Sequence, residues 1–277
     1  MQCKECGTEI PEDSVFCEKC GAKVSEEDGA SAKGETGEPG GGEHSGETPS
    51  EPTHHEEVHA GEVLAGDVKG VNTLVGEGYR VEIGKYFRRG WEIFSGYMGG
   101  FIGFMFIVWL INVFLNFIPV IGSLAGFAIS GPLSAGYYIV AFKRMKGQQV
   151  EFGDFFLGFN QFLPLFLAVL VMTIFIALGS IALILPGIYL FISYLLVIPT
   201  IVDRKLDFWE AMEASRKVIT RKWFSFFLLG FLIFLLNVAG MLALFIGLIF
   251  TIPWSTIILA AAYEDIFGLE SEEFGRP

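Results

Sequence analysis

After Cys20 the sequence holds no cysteine, and after His59 no histidine. Everything beyond that point lacks the residues from which Ser-His and Cys-His nucleophile pairs, histidine metal sites and disulfide frameworks are built. Charge is scarce as well, with Asp, Glu, Lys and Arg making up 18% of the chain. Six apolar stretches, 100–118, 120–142, 161–185, 187–202, 223–240 and 242–263, contain none of these four and no histidine. Proton- and ion-coupled transporters commonly mark their path with an ionisable residue inside the membrane, and no stretch offers one. The N-terminus lacks the basic-then-apolar order of a signal peptide, so insertion is expected to be directed by the first transmembrane helix. Basic stripes are missing too, and 31 acidic against 19 basic residues leave no electrostatic footprint for nucleic acid.

Hydrophobic mass is what the sequence has. Apolar residues make up 52% of 277 positions, 28 of them Phe, a profile expected of a membrane protein with a soluble segment attached. The acidity is local. Residues 25–83 carry fourteen acidic and three basic side chains, whereas residues 84–265 carry nine and twelve.

Cys3, Cys6, Cys17 and Cys20 follow C-x2-C-x10-C-x2-C. Two such pairs offer four thiolates to one tetrahedral Zn²⁺, a closed structural site with no open position for chemistry. Gly7 and Gly21 follow the pairs, where a curling backbone can bring N–H groups toward the sulfurs. A segment as short as 1–24 cannot bury enough core to fold alone, so metal binding is expected to supply its folding free energy. It resembles the short zinc-ribbon modules at the N-termini of many prokaryotic proteins. Disulfides would need an oxidising compartment, and a redox CxxC a βαβ context.

Residues 25–83 read as a linker rich in Gly, Glu, Ser, Thr and Pro, with almost no apolar residue before Val58. Such a chain does not recover its ordering entropy and is expected to be disordered. About 60 residues of this kind span on the order of 40 Å. His44, His54, His55 and His59 sit in it. They read as solvated residues rather than a metal site, since no ordered scaffold fixes their geometry.

Six apolar stretches predict about six transmembrane helices. Lys85, Arg88 and Arg89 precede the first; Lys143, Arg144 and Lys146 follow the second. Arg204, Lys205, Arg216, Lys217, Arg221 and Lys222 fill the gap between the fourth and fifth. The other connections carry no charge. All basic clusters thus fall on one side, which by the positive-inside rule predicts a cytoplasmic-membrane protein with both termini in the cytoplasm. Thiols in a reducing compartment favour zinc over disulfide.

An aromatic-rich amphipathic stretch precedes each pair of spans: GWEIFSGYMGGFIGF, DFFLGFNQFLPLF and DFWEAMEASRKVITRKWFSFF. Each pair has a proline in its second span: Pro132, Pro199 and Pro253. The separations Trp91–Pro132, Phe155–Pro199 and Trp209–Pro253 are 41, 44 and 44 positions. This spacing predicts three repeats of an interfacial helix followed by a hairpin. In the third stretch, Asp207 and Glu210 suggest a capping box, and Glu213 and Lys217 an i,i+4 pair. Trp209, Met212, Ile219 and Trp223 suggest an apolar stripe lying on the membrane surface, with basic residues near anionic lipid. Small residues four apart, Gly122, Gly126, Ser130 and Ser134, then Ala239, Ala243 and Gly247, predict close helix contacts. Asp203, Glu264 and Asp265 are expected to meet Arg204, Lys205 or Arg216 in interfacial ion pairs.

GWEIF, PGIYL, DRKLDFWEAMEASRKV and AAYEDIFG resemble uncharacterised prokaryotic multi-pass proteins, themselves similar to the membrane domain of glycerophosphodiester phosphodiesterases. The resemblance covers about 84–268 and implies an all-helical membrane domain without an established activity. The barrel of some relatives needs about 250 residues, for which the chain has no room, so no catalytic residue is carried over. The expectation is an all-α integral membrane protein: zinc ribbon 1–24, linker 25–83, multi-pass domain 84–268 and acidic tail 269–277. Its expected role is non-enzymatic, a scaffold in the lipid bilayer whose ribbon recruits a cytoplasmic protein. The alternative is a transporter or lipid-handling protein.

Overall fold

The computed structural model describes residues 78–118, 120–243 and 246–274. The chain divides into two units, Met1–His55 and Glu56–Pro277, and all described residues belong to the second. The zinc module, the four histidines and most of the linker lie outside the described residues.

In chain order the helices are α1 (Ile83–Gly96), α2 (Met98–Asn116), α3 (Ile121–Met145), a 3-10 helix (Phe152–Gln161) leading into α4 (Phe162–Ala182), α5 (Ile184–Ser193), α6 (Val197–Arg204), α7 (Phe208–Arg221), α8 (Trp223–Leu242) and α9 (Leu248–Phe267). Among the described residues there is no strand. Among the described residues, five runs are long and apolar enough to cross a membrane: Met98–Asn116, Ile121–Met145, Phe152–Ala182, Ile184–Arg204 and Trp223–Leu242. They are compatible with a multi-pass membrane protein.

The third run starts at Phe152 rather than at 161, because the amphipathic stretch before it is itself helical and continuous with α4. Its 3-10 winding has three residues per turn, so Phe155, Gly158 and Gln161 eclipse one another, and these are its buried residues. The last expected stretch, 242–263, is displaced: α9 runs from Leu248 to Phe267 and is not among the five. It carries Thr251, Pro253, Ser255 and Thr256 and ends on Glu264 and Asp265, which dilute its apolar character.

Prolines sit where a helix tolerates them, with two exceptions. Pro164, Pro186 and Pro199 are each the third residue of α4, α5 and α6, where the N–H has no intrahelical acceptor. Pro199 therefore sits at a helix start and not in the interior of one continuous helix. The helix stops at Ser193 and restarts at Val197. Pro132 and Pro253 lie within α3 and α9.

Burial separates an inner from an outer set of helices. About half of the α3 run (56%) and of the α5–α6 run (50%) is buried, against 17%, 11% and 17% for the runs of α2, α4 and α8. The inner helices α3, α6 and α9 contact one another, and the outer ones lie against them. Each amphipathic element rests on an inner helix: α1 on α9, the 3-10 helix on α3, and α7 on α5 and α6. Glycine permits the close approaches. A Cβ on Gly90 would stand 2.9 Å from Ile258, and one on Gly131 2.7 Å from the Leu165 carbonyl oxygen. Gly158 and Gly136 face the carbonyls of Pro132 and Phe155 in the same way. Of the expected small-residue series, Gly122 packs on the Leu115 carbonyl across the α2–α3 hairpin, whereas Gly126 has room around it.

Candidate functional site at the charged end of the inner helices

The basic residues that follow α3, the end of α6 and the end of α9 converge on one short segment, 269–274. Gly268 makes this possible. It closes α9 at φ 74°, a left-handed conformation that glycine adopts without Cβ strain, and turns the chain back over the bundle. Asp203, in the last turn of α6, is 2% exposed. Its carboxylate accepts hydrogen bonds from the Tyr263 hydroxyl (2.9 Å) and from the backbone N–H groups of Glu270 and Ser271 (both 3.1 Å). A buried carboxylate without such donors would be costly.

Arg204 completes the cluster. Its guanidinium donates to the Phe267 carbonyl at 3.3 Å, pairs with the Glu270 carboxylate at 2.8 Å and lies 5.3 Å over the Phe267 ring. From the chain just after α3, Lys146 donates to the Ser271 carbonyl at 2.5 Å and Gln148 to the Glu272 carbonyl at 2.9 Å. Phe274 is buried, 5.4 Å from the Phe142 ring and 5.3 Å from the Lys146 ammonium. Sequence reasoning placed Asp203 among the acidic residues of interest. It missed Tyr263, Glu270, Ser271 and Phe274. The glycine just past the α9 pattern was the signal available.

A second charged cluster joins α1 to α9. Lys85 bonds Asp265, the Tyr86 hydroxyl donates to Asp265 at 2.9 Å, and Arg89 pairs with Glu264 at 3.5 Å. The hydrogen bond to Asp265 raises the Lys85 ammonium above its ordinary value, and burial pushes the Tyr86 hydroxyl up. A cleft of about 490 Å³ opens here, with Lys85, Arg88 and Arg89 facing Glu92, Glu264 and Asp265. Its charges balance. The expected partners of Glu264 and Asp265 were Arg204, Lys205 and Arg216, and the structure replaces them with α1 residues brought in by packing.

Each of the other amphipathic elements has its own tie. Lys143 of α3 bonds Asp154 at 2.6 Å, and Glu151 with Asp154 forms a capping box at the start of the 3-10 helix. Asp207 caps α7 by position only; its side chain makes no capping hydrogen bond. Glu213 does meet Lys217 (3.5 Å), and more closely Arg216 (2.8 Å). The hydrogen bonds that Arg216 donates to Glu213 hold its guanidinium above its ordinary value. The buried face of α7 is Ala211, Met212, Ala214, Ser215, Val218 and Ile219, while Trp209 is 56% exposed. The stripe drawn through Trp209 is thus rotated, because small residues let α7 pack closely on α5 and α6. Ser215 bridges the helix break there. Its hydroxyl donates to the Ser193 carbonyl at 2.7 Å and accepts from the Leu196 N–H at 3.3 Å.

Tyr79, in the stretch read as linker, donates to the Val218 carbonyl at 2.7 Å. Among the described residues no group of three or more His, Cys, Asp or Glu is placed to hold a metal. The four cysteines lie outside them. Residues 2–24 match a zinc-ribbon domain. Such a domain implies zinc binding, and Cys3, Cys6, Cys17 and Cys20 all fall inside the match. Comparison with curated proteins and with solved structures gives no match.

Proposed function

We propose that the chain is a non-enzymatic membrane scaffold whose N-terminal ribbon, holding one structural zinc through Cys3, Cys6, Cys17 and Cys20, recruits a cytoplasmic protein. The observation that carries this reading is the burial of apolar side chains on the inner helices, where Ile139, Phe142, Ile201 and Ile257 are fully buried. It stands beside a ribbon whose four thiolates would saturate the metal. A packed interior and a closed metal shell suit assembly better than turnover.

The proposed topology has six crossings, by α2, α3, α4, α5–α6, α8 and α9, with both termini cytoplasmic. The sidedness of the basic residues supports it. The domain is proposed to be three repeats, each an amphipathic element, an outer helix and an inner helix. Support comes from the packing: each amphipathic element rests on the inner helix of the unit before it, and α1 closes the ring on α9. The resemblance to the glycerophosphodiester phosphodiesterase membrane domain agrees with a helical body of this kind.

Reporters fused at Met1 and at Pro277 test the topology, and activity of either outside the cell overturns it. Deleting residues 1–60 tests recruitment. The partner set that co-purifies with the full chain is expected to be lost, and an unchanged set rejects the reading. A stoichiometric lipid or solute in native mass spectrometry favours transport or lipid handling instead.

A further inference from the structure

Segment 269–274 touches all three inner helices at one end. It reaches α6 through Asp203 and Arg204, the chain following α3 through Lys146 and Gln148, and α3 itself through Phe142, and it is the direct continuation of α9. Phe274 fills an aromatic slot whose wall is Phe142, itself 5.5 Å from Tyr263. Most of these polar contacts use the segment's backbone; among its side chains, Leu269 packs on the core, Glu270 pairs with Arg204 and Phe274 lies against Phe142.

We propose that residues 269–274 are a releasable latch that locks the charged ends of α3, α6 and α9 together, with Phe274 as its bolt and Asp203 as its catch. The physical reason is connectivity. The segment is covalently continuous with α9 alone, yet its hydrogen bonds and aromatic contact tie that helix to α3, and they add to the two bonds, Tyr263 to Asp203 and Arg204 to the Phe267 carbonyl, that already join it to α6. Between apolar helices in lipid no hydrophobic force favours one partner over another, so close packing and polar ties at the ends together hold them. The segment lies outside any helix and is partly exposed, which makes it the part that leaves first. Once it leaves, Asp203 loses two N–H donors and Arg204 its carboxylate, and water must enter the junction to solvate them. The inference does not depend on what the ribbon recruits.

Hydrogen exchange read by mass spectrometry on the full chain in lipid nanodiscs tests it. Phe274→Ala is expected to speed exchange of the Glu270 and Ser271 amides at least tenfold, and also to speed exchange in the last turns of α3 and α6. Glu272→Gln, at a side chain with no hydrogen bond or ion pair among the described residues, is expected to leave every rate unchanged. Faster exchange confined to 268–274 and α9 overturns the proposal, since the segment would then be only a frayed end of its own helix. Truncation after Gly268 gives a second reading. Acceleration at the α3 and α6 ends matching that of Phe274→Ala supports the latch, and wild-type rates there refute it.

Discussion

Glycine and serine decide more of this fold than any charged residue. Gly158 faces the Pro132 carbonyl so closely that an added methyl must displace backbone. Gly158→Ala is therefore expected to destabilise by about 1–3 kcal/mol, seen as a lower thermal midpoint in detergent. Gly99, in α2 with nothing within 4 Å of where its Cβ would stand, is the contrast. Gly99→Ala is expected to be neutral or to stabilise by about 0.5–1 kcal/mol, because alanine restricts the unfolded chain and suits a helix. If both variants shift the midpoint alike, the close contact between the 3-10 helix and α3 is not what holds them. Ser215 acts differently, by serving two backbone groups that the break at 194–196 leaves without helical partners. Ser215→Ala is expected to cost about 1–3 kcal/mol. Ser215→Thr, which keeps the hydroxyl, should recover part of it.

At the scale of elements, the amphipathic segments are the joints of the structure. Each was recognisable as an aromatic-rich stretch before a hairpin, but the helix it would lie on was not. For α1 that partner is α9, some 170 residues away, and Lys85–Asp265 is one of the ties. The sign of its pH dependence follows from the raised Lys85 value. A base whose folded-state pKa is raised contributes stability below its ordinary value, near 10.5, and loses it as pH rises through the folded-state value. Lys85→Met is thus expected to lower the unfolding midpoint by a small, constant amount between about pH 7 and 9. The difference from the parent should close only in the alkaline range above 10.5. A difference that closes near neutrality would show that another group governs this joint.

For the whole molecule, the consequence is a division between a metal-dependent part and a packing-dependent part. Ribbon folding is expected to be coupled to zinc, since thiolate ligands must be deprotonated and ordered by a metal. The helical body owes its stability to buried side chains such as Phe104, Phe155 and Tyr263. A strong chelator is therefore expected to release one zinc per chain while leaving the thermal midpoint of the helical body unchanged. Substituting Cys17 with Ser should reproduce both results. Loss of helical signal together with the zinc would contradict this independence.

By itself the sequence determined what depends on neighbours a few positions apart. Cysteine spacing marks a zinc ribbon, which residues 2–24 match, apolar runs mark five long helices among the described residues, and Glu213 with Lys217 names a local pair that the structure contains at 3.5 Å. Only tertiary structure decided which joints close: Asp265 on Lys85 rather than on Arg204, α7 turned so that Trp209 faces out, and the terminal segment folded back onto Asp203. The reason is that apolar helix surfaces are nearly interchangeable to hydropathy. What distinguishes one partner from another is shape, a glycine opposite a carbonyl or a hydroxyl opposite a broken turn, and shape exists only once the helices have met.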